Sequence, residues 1–134
     1  MRIIGFVCRD SALPAVEHAA SKEDPHPSFI TLVEMPCTGR VDVVHILRAF
    51  REGADAVFVA GCLEGNCKYQ YGNIEARKRV TLTKSLLQAA GLEPERLEMF
   101  NLASNQGWRF PEIVQEMVSR VERLGPNPIG KVKT

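Results

Sequence analysis

The chain has 134 residues, of which 45% are hydrophobic and 25% charged, and its formal net charge is +1. That is the size of one domain, long enough to bury a core without disulfide staples. The near-neutral charge leaves no electrostatic footprint for nucleic acid or an anionic membrane.

No stretch reaches the roughly 20 apolar residues that cross a bilayer. The first apolar run is interrupted by Arg2 and ends at Cys8-Arg9-Asp10, which does not read as a secretory signal. The expected compartment is the cytoplasm. Disulfides are rare there, so grouped cysteines point instead to metal binding or catalysis.

In chain order, residues 2–7 form an apolar first strand. A short helix from Ser11 follows, with Leu13, Val16 and Ala20 on one face. The prolines in Glu23-Asp24-Pro25-His26-Pro27-Ser28 mark a loop. A second strand, rich in β-branched residues, covers 29–35, and Pro36-Cys37-Thr38-Gly39 turns the chain. Val43, Ile46, Leu47 and Phe50 lie at helical spacing in a helix over 40–52 that Gly53 stops.

Residues 56–60 are continuously apolar, the pattern of a strand buried on both faces. After a polar loop, a long helix spans 73–90 and stops at Gly91. A fourth strand covers 96–102, and its alternation of polar and apolar residues suits a sheet edge. A last helix spans 107–124, with Pro111 in its first turn. Strands alternating with helices imply one parallel sheet. The expected fold is therefore a small doubly wound, flavodoxin-like α/β domain over residues 1–124, with strand order 2-1-3-4. Residues 125–134 form an extended C-terminal tail.

This topology gives the cysteines a common address. Cys8 follows the first strand, Cys37 the second and Cys62 the third, and Cys67 lies five residues after Cys62. Open α/β sheets bind ligands outside the carboxyl ends of their strands. Four thiols directed to that edge suit an iron–sulfur cluster, [2Fe–2S] or [4Fe–4S], since either accepts four thiolates. Zinc also takes tetrahedral sulfur. It ranks second because the chain has no C-x2-C knuckle, whereas Cys62 and Cys67 have the C-x4-C spacing of one ferredoxin type.

Other residues would complete such a site. Gly61, Gly65 and Gly72 permit close backbone approach, and Gly65 lies inside the Cys62–Cys67 loop. Arg40, after Thr38-Gly39, would offset cluster charge, with Arg77, Lys78 and Arg79 as a second basic group whose plainer use is a solvated helix face. A phosphatase-type C-x5-R loop is absent because Lys68 occupies the arginine position. Nothing draws His18, His26 or His45 toward a thiol, so no nucleophile–base pair can be named. Gly5 alone is not a dinucleotide fingerprint.

Three blocks carry a resemblance. Met35-Pro36-Cys37-Thr38-Gly39-Arg40-Val41-Asp42, then Ala49-Phe50 with Gly53-Ala54-Asp55-Ala56-Val57, then Gly61-Cys62, Gly65, Cys67, Tyr69 and Gly72-Asn73 resemble the delta-subunit family of methyl-viologen-reducing hydrogenase. The resemblance implies a small subunit that carries a [2Fe–2S] cluster. It implies electron relay between a hydrogenase, formate dehydrogenase or other oxidoreductase and the flavin-containing subunit of a heterodisulfide-reductase-like complex, in some assemblies with electron bifurcation in anaerobes. Such a subunit performs no substrate chemistry alone. Cys37, Cys62 and Cys67 match family cysteines, and Cys8 matches the first of a Cys-x-x-Cys pair whose second position here is Ser11. Leu63 and Lys68 stand where the family often has histidine. A metal-stabilised docking module and a stand-alone thiol enzyme are the alternative readings that the residues leave open.

Overall fold

The structure is a computed structural model, and it describes residues 1–8, 29–35, 41–61, 72–101 and 109–128. The expected first helix from Ser11, the loop at 23–28 and the turn at 36–39 lie outside the described residues.

The described elements run β1 (Ile3–Cys8), β2 (Ile30–Met35), α1 (Val43–Arg51), β3 (Ala56–Gly61), α2 (Gly72–Ala89), β4 (Leu97–Asn101) and α3 (Phe110–Leu124), with a 3-10 turn at Pro94–Arg96 before β4. The four strands form one sheet in the order β2-β1-β3-β4, and every pairing is parallel. This is the α/β fold and strand order expected from the sequence.

The central strands explain why the chain folds this way. Every residue of β1 and β3 is buried, as sheet residues covered on both faces must be. Alternate residues then supply two cores. Ile3, Val7, Ala56, Phe58 and Ala60 pack with Phe110, Ile113, Met117 and Val121 of α3. Ile4, Phe6, Val57 and Val59 pack on the other face with Ile46 and Phe50 of α1 and Val80 and Leu87 of α2.

Local chemistry sets the helix bounds. α1 begins at Val43 rather than residue 40 because Asp42 is its N-cap. The Asp42 carboxylate accepts from the Val43 N–H at 2.7 Å, and His45 Nδ1 accepts from the Asp42 N–H at 3.0 Å, which closes a capping box. At the other end Gly53 takes φ +107°, and the Ala54 N–H reaches back to the Ala49 carbonyl at 3.1 Å. The fourth strand starts at Leu97, one residue later than its alternation suggested. Arg96 belongs to the preceding turn and is 1% exposed.

The chain after Leu124 begins against the amino edge of the sheet. Asn127 is fully buried, and its side-chain amide donates to the carbonyls of Phe50 and Ala54 at 2.9 and 2.8 Å. Arg96 Nη1 donates to the Gly125 carbonyl at 2.9 Å and to the Asp55 carbonyl at 3.0 Å. A buried guanidinium at the carboxyl end of α3 satisfies carbonyls that the helix leaves open and complements its dipole.

Candidate metal centre

The carboxyl edge of the sheet is a row of strand ends. Cys8 closes β1 and pairs in register with Met35, the last residue of β2. Val7 pairs with Ala60, so β1 and β3 each extend one residue further, to Cys8 and Gly61. Gly61 pairs with Asn101, the last residue of β4. Neighbouring strands in a sheet lie about 4.8 Å apart.

Cys8 is 2% exposed and counts among the core residues on the α3 side. In sequence Cys62 directly follows Gly61, and Cys37 is two residues after Met35. Cys37, Cys62 and Cys67, with Arg40 and Gly65, lie outside the described residues, as does Tyr69. Of the candidate ligands, the structure thus locates Cys8, and it brings together the strand ends from which the segments bearing Cys37 and Cys62 depart. Among the described residues, no three His, Cys, Asp or Glu side chains gather as a metal site.

The surroundings suit an anionic thiolate-held group. α1 lies between the parallel strands β2 and β3, and α2 between β3 and β4, so each helix runs back across the sheet with its positive amino end toward this edge. Arg77 Nη2 donates to Asn101 Oδ1 at 2.7 Å. Arg109 Nη1 donates to the Asn101 carbonyl at 2.8 Å. Arg79 Nη1 donates to the Val41 carbonyl at 3.2 Å, just ahead of α1. Lys78, by contrast, is a solvated residue paired with Glu75 at 3.5 Å, with 69% of its side chain exposed.

The donor chemistry and the cationic rim fit a sulfur-ligated metal group. Cys8 would offer a sulfur shielded from water, and the arginines and helix amino ends would offset the negative charge that a thiolate-held group carries. Asn101 and Arg109 were not singled out from the sequence. The only signals for them were an asparagine closing an edge strand and an arginine ahead of a helix, and both are common in surface positions.

Comparison with known proteins places the chain in a family. The family described as methyl-viologen-reducing hydrogenase, delta subunit, matches residues 3–125. The vhu iron-sulfur subunit of the F420-non-reducing hydrogenase of Methanocaldococcus jannaschii is 40% identical over 127 residues, 95% of both chains. Its counterpart in Methanococcus maripaludis is 42% identical over the same length and shares. One subunit of the Ferredoxin/F(420)H(2)-dependent CoB-CoM heterodisulfide reductase of Methanosarcina acetivorans is 32% identical over 124 residues, which are 92% of this chain and 16% of that protein. The chain belongs to the family of methyl-viologen-reducing hydrogenase delta subunits.

Proposed function

We propose that this chain is a cytoplasmic electron-transfer subunit that holds one [2Fe–2S] cluster through Cys8, Cys37, Cys62 and Cys67. It relays electrons between a partner oxidoreductase (a hydrogenase, a formate dehydrogenase or a similar enzyme) and the flavin-containing subunit of a heterodisulfide-reductase-like complex. The observation that carries this reading is full-length similarity, 40% over 95% of both chains, to a protein whose name is that of a hydrogenase iron–sulfur subunit. The match to part of a heterodisulfide reductase supports the second partner.

When bound, the cluster supplies one-electron storage and release. The chain's own residues do the rest. The four thiolates would hold it, and the buried ends of β1 and β3 would exclude water from one side. Arg40 and the basic rim would offset negative charge, and a glycine at position 65 would permit close approach of the backbone to sulfur. No group of the chain is asked to act on a substrate; the enzyme is the complex.

The test is anaerobic purification with the partner subunits, followed by iron, sulfide and zinc analysis and EPR of the reduced protein. About two irons and two sulfides per chain with a reducible signal are expected. A chain that contains zinc, or stays iron-free after anaerobic reconstitution, overturns the reading.

A further inference from the structure

A surface helix that faces only the core carries its apolar residues as one stripe. α3 does so with Phe110, Ile113, Val114, Met117 and Val121, all buried. α2 does not. It buries Ala76, Val80 and Leu87, yet Leu82 and Leu86 are 54% and 41% exposed. On α1, Val44 is 58% exposed. Among the described residues, the large apolar side chains left exposed are these three and Met1.

The three share one surface. α1 and α2 connect parallel strands and pack on the same core, so they run side by side in one direction. Arg79 Nη1 reaches the Val41 carbonyl ahead of α1 at 3.2 Å, which marks the flank of α2 that faces α1. Lys84, on the opposite flank, pairs with Glu98 of β4 at 2.7 Å. At about 100° per residue, Leu82 and Leu86 fall on the α1 flank with Arg79. Val44 follows Val41 by three residues as Leu82 follows Arg79. Exposed apolar groups gathered in this way mark interaction sites.

The charge around them is mostly of one sign. α1 carries Arg48 and Arg51 and no acidic residue. Both arginines are exposed, and neither forms an ion pair among the described residues. α2 carries Arg77, Lys78, Arg79 and Lys84 against Glu75 alone. The Asp42 carboxylate is engaged as the N-cap of α1. A second copy of this chain is a poor match. Its own α1–α2 face would bring like charges together. Its α3 is the described helix in which acidic residues outnumber basic ones, but α3 exposes no large apolar side chain to meet the leucines. The matching surface is acidic, apolar at its centre, and belongs to a different protein.

We propose that the outer face of α1 and α2 docks an acidic surface of a partner protein, with Val44, Leu82 and Leu86 as the apolar centre and Arg48, Arg51 and Lys78 as the cationic rim. This deepens the proposed function and rests on it for the existence of a partner subunit.

The experiment uses the full chain and the partner subunits of the anaerobic preparation. Dissociation constants at low and high salt are measured for the parent, for Arg48→Glu with Arg51→Glu, for Leu82→Glu with Leu86→Glu, and for Glu112→Lys on α3 as a control. The parent complex is expected to weaken with salt. Each paired variant on α1 or α2 is expected to bind at least about tenfold more weakly, and Glu112→Lys to bind like the parent. A carbodiimide, which joins a lysine amine directly to a carboxylate, is expected to link Lys78 to an aspartate or glutamate of the partner. Urea unfolding checks that each variant folds, and should the leucine variant fail, the arginine variant decides.

Folded variants that bind like the parent overturn the proposal. So do a link from Lys78 to a second copy of this chain and a parent that binds no partner subunit. Iron analysis of the same samples keeps the two readings apart. An iron-free complex that the helix variants break sinks the relay alone. An iron-loaded, reducible chain whose variants bind normally sinks the docking surface alone.

Discussion

Asp55 accepts the backbone N–H of Asn127 at 2.8 Å on one carboxylate oxygen and that of Arg2 at 2.9 Å on the other. One carboxylate, 2% exposed, therefore holds the chain just before β1 and just after α3. Both contacts lie at the amino edge of the sheet, opposite Cys8. Removing that carboxylate leaves buried donors unmet, at about 1–3 kcal/mol each. Asp55→Ala is expected to destabilise the domain by about 3 kcal/mol in urea unfolding. Asp55→Asn keeps one acceptor and should fall between the two. An Asp55→Ala variant as stable as the parent would show that the carboxylate is dispensable.

Gly5 has a specific steric task. It pairs in register with Phe58, and a Cβ built on it would come within 2.3 Å of the Phe58 ring. Phe58 is fully buried and meets Phe100 edge to face, with ring centroids 6.4 Å apart at 72°. The ring has little room to withdraw, and overpacking of this kind costs about 1–3 kcal/mol. Gly5→Ala should lower the unfolding midpoint, and adding Phe58→Leu should recover part of the loss. Additive losses in the double variant would rule out the clash.

Glu98 of β4 links two helices across the sheet edge. It pairs with Lys84 of α2 at 2.7 Å and with Arg120 of α3 at 3.2 Å. Burial pushes its carboxyl up, but the hydrogen bonds and charges of Lys84 and Arg120 outweigh this and hold it below the usual 4.5. The hydrogen bond from Arg96 lowers Glu93 in the same direction. A carboxyl lowered in the folded state contributes stability that is complete above the unfolded value and is lost as pH falls through the folded value. Stability should therefore decline below about pH 4.5. Glu98→Gln should be about 1 kcal/mol less stable at neutral pH and lose less on acidification. Parallel pH curves for parent and variant in urea midpoints would remove Glu98 from the account.

The sheet was legible because its signals are local. Apolar runs at 2–7 and 56–60, glycine stops at Gly53 and Gly91, and alternation of strand with helix point to the order β2-β1-β3-β4. What was not legible depends on partners far along the chain. Gly5 matters only because register sets Phe58 beside it. Arg96 reads as a polar edge residue, yet it is buried because it gathers the carbonyls of Asp55 and Gly125. Asn127 sits in a Gly-Pro-Asn-Pro stretch that reads as a tail, and its anchoring rests on carbonyls at residues 50 and 54. At the candidate site, Cys8 at a strand end followed directly from the strand pattern. The arginine bonds at Asn101 have no periodicity that would announce them.

Cys8 separates a ligand from a core residue, because the two roles respond differently to the same change. As a small buried hydrophobe, Cys8→Ala would cost roughly 1 kcal/mol and leave iron content untouched. As a thiolate ligand, the same substitution removes one of four bonds to the cluster and should strip iron from the purified chain, while the iron-free variant unfolds close to the iron-free parent. Cys8→Ser retains an oxygen donor. It should keep some iron with altered visible and EPR spectra, since ligand identity sets the electronic character of such centres. Iron and sulfide analysis beside urea unfolding of both variants decides the matter. Full iron content in Cys8→Ala would remove Cys8 from the ligand set and leave it as core packing under α3.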